Sequence, residues 1–178
     1  MDINLLVNIS ARAWSLRILA LMHRGVVGRQ APLLSASGAS RTAFAQSLKH
    51  LVDLGLLERT AGHGHPLRPE YQLTPLGTKA AARADRIDLV APQTAESSLL
   101  RRSWTVPILA VSRQPMFFSQ IKSSLPAITD RALSQSLKQL EGQDWLARRI
   151  VTQVHPPRAL YQAMHQGAQI SAAAGLDS

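Results

Sequence analysis

Arg41-Thr42-Ala43-Phe44-Ala45-Gln46-Ser47-Leu48-Lys49-His50-Leu51-Val52-Asp53-Leu54-Gly55-Leu56-Leu57-Glu58-Arg59-Thr60 is the stretch that decides how this chain is read. Phe44, Leu48 and Leu51 recur at helical spacing and share one face. Arg41, Thr42, Gln46 and Lys49 occupy the opposite face. Gly55 stops the helix as a C′ residue, and a short apolar-basic run follows. A near copy spans residues 131–149. There Leu133, Leu137 and Leu140 form the apolar face, and Arg131, Ser134, Gln135 and Lys138 form the polar one. A helix with one buried stripe and one Arg/Gln/Lys stripe suits the major groove of DNA. Two such helices in one chain predict a built-in dimer.

The repeat extends well beyond these helices. At an offset of 89, seven of the fourteen residues in 46–59 are identical to those in 135–148. Chance would give roughly one. One inserted residue then moves the offset to 90, aligning His65-Pro66, Arg68 and Tyr71-Gln72 with His155-Pro156, Arg158 and Tyr161-Gln162. Gly77 matches Gly167, Trp14 matches Trp104, and Ile18-Leu19-Ala20 matches Ile108-Leu109-Ala110. Two copies at so long a period make a duplicated domain rather than a solenoid.

Composition narrows the function. With 178 residues the chain holds two small domains, and its +9 net charge favours a polyanion, nucleic acid first. Aromatic residues are too scarce for stacking platforms that hold single strands. Cysteine is absent, which removes disulfides, thiolate chemistry and Cys-ligated zinc. No apolar run reaches transmembrane length, and no secretory signal opens the chain, so a cytoplasmic location is expected.

Read in order, residues 1–9 are a strand or a leading helical turn. Helices are predicted over 11–23 and 32–36, with Ser40 as N-cap of the helix that begins at Arg41. Strands at 56–60 and 70–73 flank a basic hairpin loop. Thr74 and Pro75 open a further helix through 79–90, with Ala80, Ala84, Ile87 and Val90 as its packing stripe. The second copy repeats this with helices at 99–111, 117–124 and 130–143, Thr129 as cap, and strands at 146–154 and 159–162. The expected division is 1–91, a linker at 92–98, a second domain at 99–167, and a frayed tail at 168–178. The fold class is α+β, mainly α, with two tandem domains related by pseudo-twofold symmetry.

The early Trp followed by Ile-Leu, the Leu-x-x-x-Leu-x-x-Leu helix, the Pro-Arg hairpin tip and Tyr71-Gln72-Leu73-Thr74-Pro75-Leu76-Gly77 carry a resemblance. The chain resembles HxlR-type winged helix-turn-helix regulators, relatives of the MarR group, over nearly its whole length and twice. The resemblance implies a transcriptional regulator whose usual members bind DNA as homodimers. The first functional expectation is a sequence-specific DNA-binding repressor relieved by a small-molecule effector. The tandem organisation departs from that pattern, as does the missing cysteine that some members use to sense oxidants. The second copy has Ala163-Met164 where the first has Leu-Thr, which predicts a short last helix.

The expected DNA contacts are Arg41, Thr42, Gln46, Lys49, Arg131, Ser134, Gln135 and Lys138 on the helices, with Arg68 and Arg158 at the hairpin tips. Gln pairs bidentately with adenine and Arg with guanine, and tip arginines reach phosphate or the minor groove. His63 and His65 lack an acidic or thiol partner, so no metal is expected. Neither a P-loop nor a Ser nucleophile pattern is present, and neither an enzyme nor a cofactor is expected. Trp14, Trp104 and Trp145 are expected in the core. The alternatives are a tandem winged-helix protein of chromosome organisation and a plasmid replication initiator; the basic faces argue against the former. The expected partners are an operator duplex and an effector but no membrane, with further homodimerisation left open.

Overall fold

The computed structural model describes residues 1–61, 68–92, 94–152 and 156–176. Along it run α1 (Ile3–Ser10), α2 (Ser15–His23), α3 (Gln30–Ser37), α4 (Arg41–Asp53), β1 (Leu57–Thr60), β2 (Glu70–Leu73) and α5 (Pro75–Leu89). After a 3-10 turn at Ala95–Arg101 come α6 (Thr105–Val111), β3 (Met116–Phe117), α7 (Phe118–Ser124), α8 (Asp130–Glu141), β4 (Leu146–Val151), β5 (Arg158–Ala163) and α9 (His165–Ala174). They divide into two compact units, Ala11–Leu89 and Met1–Ser10 with Val90–Ser178. The mainly helical α+β class expected from the sequence is what the chain adopts.

In the unit of residues 11–89, α2 packs along α5, and α3 and α4 close the core. Ile18, Leu19, Leu33, Phe44, Leu48, Leu51, Ala80, Ala84 and Ile87 are all buried. Arg17 on α2 and Arg24, the C-cap residue after it, form ion pairs with Asp88, and Arg24 also pairs with Asp85. Burial acts against the charge of Arg24, yet these carboxylates more than offset it and raise its pKa. The two strands are antiparallel, with Leu57 opposite Leu73 and Arg59 opposite Tyr71.

The unit of residues 1–10 and 90–178 repeats this plan. α6 packs against α9, α7 and α8, and the strands form a sheet in the order β3-β5-β4. Leu146 lies opposite Ala163 and Arg148 opposite Tyr161. The equivalent ends, Leu57/Leu146 and Leu73/Ala163, differ by 89 and 90 residues. The inserted residue therefore lies within the hairpin, beyond which the register recovers.

Each unit hinges on one residue. Leu56 donates its N–H to Leu51 O at 3.0 Å, while Gly55 N–H bonds Val52 O at 2.9 Å. Trp145 N–H bonds Leu140 O at 3.0 Å and Asp144 N–H bonds Glu141 O at 3.1 Å. These are the paired bonds of a Schellman ending, which satisfies the last helical carbonyls. The carbonyl of the same residue, Leu56 or Trp145, then accepts from Thr74 N–H (3.1 Å) in one unit and from Met164 N–H (3.0 Å) in the other. The last helix crosses so closely that a Cβ on Gly77 would sit 1.9 Å from Leu56 O, and one on Gly167 2.0 Å from Trp145 O. Gly55 and Asp144 hold the left-handed position, at φ 68° and 56°. The break after α8 is thus made at Asp144, not at Gly142, which stays helical at φ −67°.

Several expectations are corrected. The expected strand or leading turn at 1–9 is instead helix α1 (Ile3–Ser10), whose Leu6 and Ile9 are buried and which packs on α6 rather than with residues 11–89. The first helix of the first copy starts at Ser15, since Arg12 O accepts from Ser15 N–H in a tight turn. A continuous helix over 99–111 does not form. Pro107 would fall in its interior, where it lacks a donor and clashes; starting at Thr105 puts Pro107 in the first turn, where neither matters. Part of the expected linker joins the 3-10 turn, with Leu99 buried. The expected tail is helix α9 as far as Ala174, because Gly167, Ile170, Ser171 and Ala174 make a small-residue stripe buried within the unit. Val90 is half-buried, and Trp145 is buried while Trp14 and Trp104 are half-buried.

Gly167→Ala is expected to destabilise the protein by about 1–3 kcal/mol through forced overpacking against a carbonyl. Asp144→Gly is expected to stabilise it by about 0.5–1 kcal/mol by relieving the left-handed Cβ. Urea unfolding of the full chain checks both; shifts of the opposite sign contradict this geometry.

Candidate nucleic-acid interface

The two polar helix faces are set by matching caps. Ser40 Oγ accepts from Ala43 N–H at 3.3 Å and opens α4. Thr129 Oγ1 accepts from Ala132 N–H at 3.2 Å and opens α8. Both caps sit in extended backbone, as an N-cap requires. Within α4, Ser47 is buried, donates to Ala43 O at 2.9 Å and accepts from Trp14 N–H at 3.3 Å. That bond ties the start of α2 to the middle of α4. Of the shared Gln-Ser-Leu-Lys, only Gln and Lys are exposed in both copies.

Arg41, Thr42, Gln46, Lys49, Arg131, Ser134, Gln135 and Lys138 are all exposed. Spacing places Thr42, Gln46, Lys49 and Asp53 on one stripe of α4, and Arg131, Gln135, Lys138 and Gly142 on the equivalent stripe of α8. The charges along them differ. Lys49 Nζ pairs with Asp53 Oδ2 at 2.6 Å, one turn on. Gly142 stands where that partner would be on α8, and Lys138 forms no ion pair among the described residues. Asp130, the first residue of α8, pairs instead with Lys122 of α7 at 2.6 Å. Exposed pairs of this kind contribute about 0–1 kcal/mol each, so an approaching phosphate can compete for the lysines.

The hairpins add further cations. Arg68 is exposed just before β2, and Arg158 is exposed as the first residue of β5, opposite Val151. Arg158 therefore belongs to the strand and not to the tip where it was expected. Residues 62–67 and 153–155 lie outside the described residues, and with them His63, His65 and His155. Arg59, Arg148 and Arg149 are exposed on β1 and β4 and were not among the expected contacts. The usable signal was the identity of Arg59 and Arg148 across the offset, for which core packing gives no reason because both are exposed. Each lies across from a tyrosine, Tyr71 or Tyr161.

The model of the HxlR-like helix-turn-helix family matches residues 9–95 and again residues 99–175. The chain belongs to the HxlR-like helix-turn-helix family. It carries two HxlR-like domains in tandem, and a family of DNA-binding transcriptional regulators is the frame for both. A search of curated proteins finds no match. Among the described residues, no single helix is long and apolar enough to cross a membrane. In each HxlR-like domain the helix before the hairpin, α4 or α8, carries the exposed polar stripe.

Ser40→Ala and Thr129→Ala are each expected to cost about 1 kcal/mol by stripping an N-cap. Urea denaturation of the two variants checks this, and an unchanged midpoint for both contradicts the capping geometry.

Proposed function

We propose that the chain is a sequence-specific regulator that binds double-stranded DNA with both α4 and α8, so that one chain does the work of a homodimer. The observation that carries this is the pair of exposed Arg/Gln/Lys stripes, each held between an N-cap and a Schellman ending of the same design. Thr42, Gln46 and Lys49 face the groove from α4, as do Arg131, Gln135 and Lys138 from α8. Arg41 and Ser134 flank them. Gln46 and Gln135 are suited to adenine, and the arginines to guanine or phosphate. Arg68 and Arg158, joined by Arg59, Arg148 and Arg149, supply backbone contacts from the hairpins. Ten expected contacts being exposed is what a groove-facing set requires.

The regulation we attach to this reading is repression in the cytoplasm, relieved by a small molecule. Occupying an operator excludes other proteins from it without any catalytic group. An effector that favours a non-binding arrangement releases the site by differential affinity.

Binding measured by fluorescence anisotropy against salt tests the interface. Each phosphate neutralised adds about −0.9 to the slope of log K against log salt. Lys138→Ala is expected to flatten the slope by about one unit. Lys49→Ala is expected to flatten it less, because Asp53 competes for that lysine in the free protein. Unchanged binding by the combined Arg41→Ala, Lys49→Ala, Arg131→Ala, Lys138→Ala variant would remove this surface from consideration.

A further inference from the structure

Two identical reading heads cannot tell one direction along DNA from the other. The heads here are not identical, and the differences fall on exposed positions. At the first helical residue, α4 has Arg41 where α8 has Asp130. One turn later, Ala45 stands where α8 has Ser134, both exposed. A core requirement explains neither exchange, since all four side chains lie outside the buried sets of their helices.

Asp130 is paired as well as exposed. Its side chain is 68% accessible, and Lys122 Nζ holds Oδ1 at 2.6 Å. The lysine offsets the repulsion that a bare carboxylate would meet beside phosphates, and a carboxylate with about four lone-pair sites can still accept a further hydrogen bond. The position of Lys122 in α7 corresponds to an apolar part of α3, so this brace belongs to the second head alone. A carboxylate in the major groove accepts from the N4 amine of cytosine, whereas arginine donates to O6 and N7 of guanine and alanine meets the thymine methyl.

We infer that Asp130 and Arg41 make the two half-sites unlike, Asp130 selecting cytosine where Arg41 selects guanine, so that the chain sits on its operator in one direction only. This rests on the proposed DNA-binding reading and assigns a specificity residue within it. A regulator of this kind can place one particular unit toward the regulated gene, which a symmetric homodimer cannot do.

Selection of binding sites from random duplexes by the full chain, followed by titration, tests the inference. The expected site has two related half-sites that include one position with guanine in one half and cytosine on the matching strand of the other. Asp130→Ala is expected to lose that cytosine preference and to bind the selected site about 5- to 150-fold more weakly, the usual cost of one mismatched pair. Because Asp130 is exposed, the variant folds, and its base preference is a readout that a brace between α7 and α8 alone would not move. A selected site with the same base pair in both halves, or a cytosine preference kept by Asp130→Ala, overturns the inference while leaving DNA binding intact. Enrichment of no duplex at all overturns the DNA-binding reading and this inference with it.

Discussion

Leu56, with its counterpart Trp145, is the constraint on which each unit depends. Its N–H closes the helix that carries the polar stripe, and its carbonyl receives the amide that precedes the last helix. Between these two bonds runs the hairpin. One residue therefore fixes the direction in which the stripe leaves the core, the start of the hairpin and the crossing of the last helix. The crossing leaves no room for a side chain at Gly77 or Gly167. The identity of these glycines across the repeat thus has a steric cause, and the identity of Leu51 and Leu140 follows from the same junction.

Around that shared junction the two copies have diverged. In the unit of residues 11–89 the last helix is fastened by Arg17, Arg24, Asp85 and Asp88, and a threonine caps it. In the other unit small side chains do this work, and Ile170 and Ala174 are fully buried. The divergence reaches the exposed helix faces too. Lys49 is paired and Lys138 forms no ion pair among the described residues, while Asp130 replaces a cation with an anion. A homodimer could not have separated these roles, because each substitution would appear in both subunits. A chain that carries both domains is free to do so, which gives the duplication a physical consequence.

Much of the fold was legible in the sequence because local signals agreed with one another. Ser40, Thr129 and Gly55 mark helix ends by their own chemistry, and the apolar spacing of α4 and α8 leaves a single buried face. The offset of 89 to 90 then transferred each assignment to the other copy. The rest depended on tertiary contacts. Nothing in residues 1–10 states that Leu6 and Ile9 pack on α6 rather than on the neighbouring helix in sequence. The Ala/Gly/Ser run of α9 has little hydrophobic contrast, so its burial is visible only once α6 is in place. Pro107 is a local signal, because its ring and missing donor exclude an unbroken helix over 99–111. For the candidate interface, exposure was readable from spacing. The partnership of Lys122 with Asp130 was not, because it joins two helices across a turn. The exposed Arg59 and Arg148 were readable from the repeat itself, and only the focus on the helices passed over them.

The central claim is that one chain supplies both reading heads. Native mass spectrometry of the full-length protein with a selected duplex of about 20 base pairs, the span of two half-sites one helical turn apart, addresses it most directly. The account predicts one chain bound per duplex, with that complex forming at the lowest protein ratios. A complex seen only with two chains per duplex of that length would contradict it.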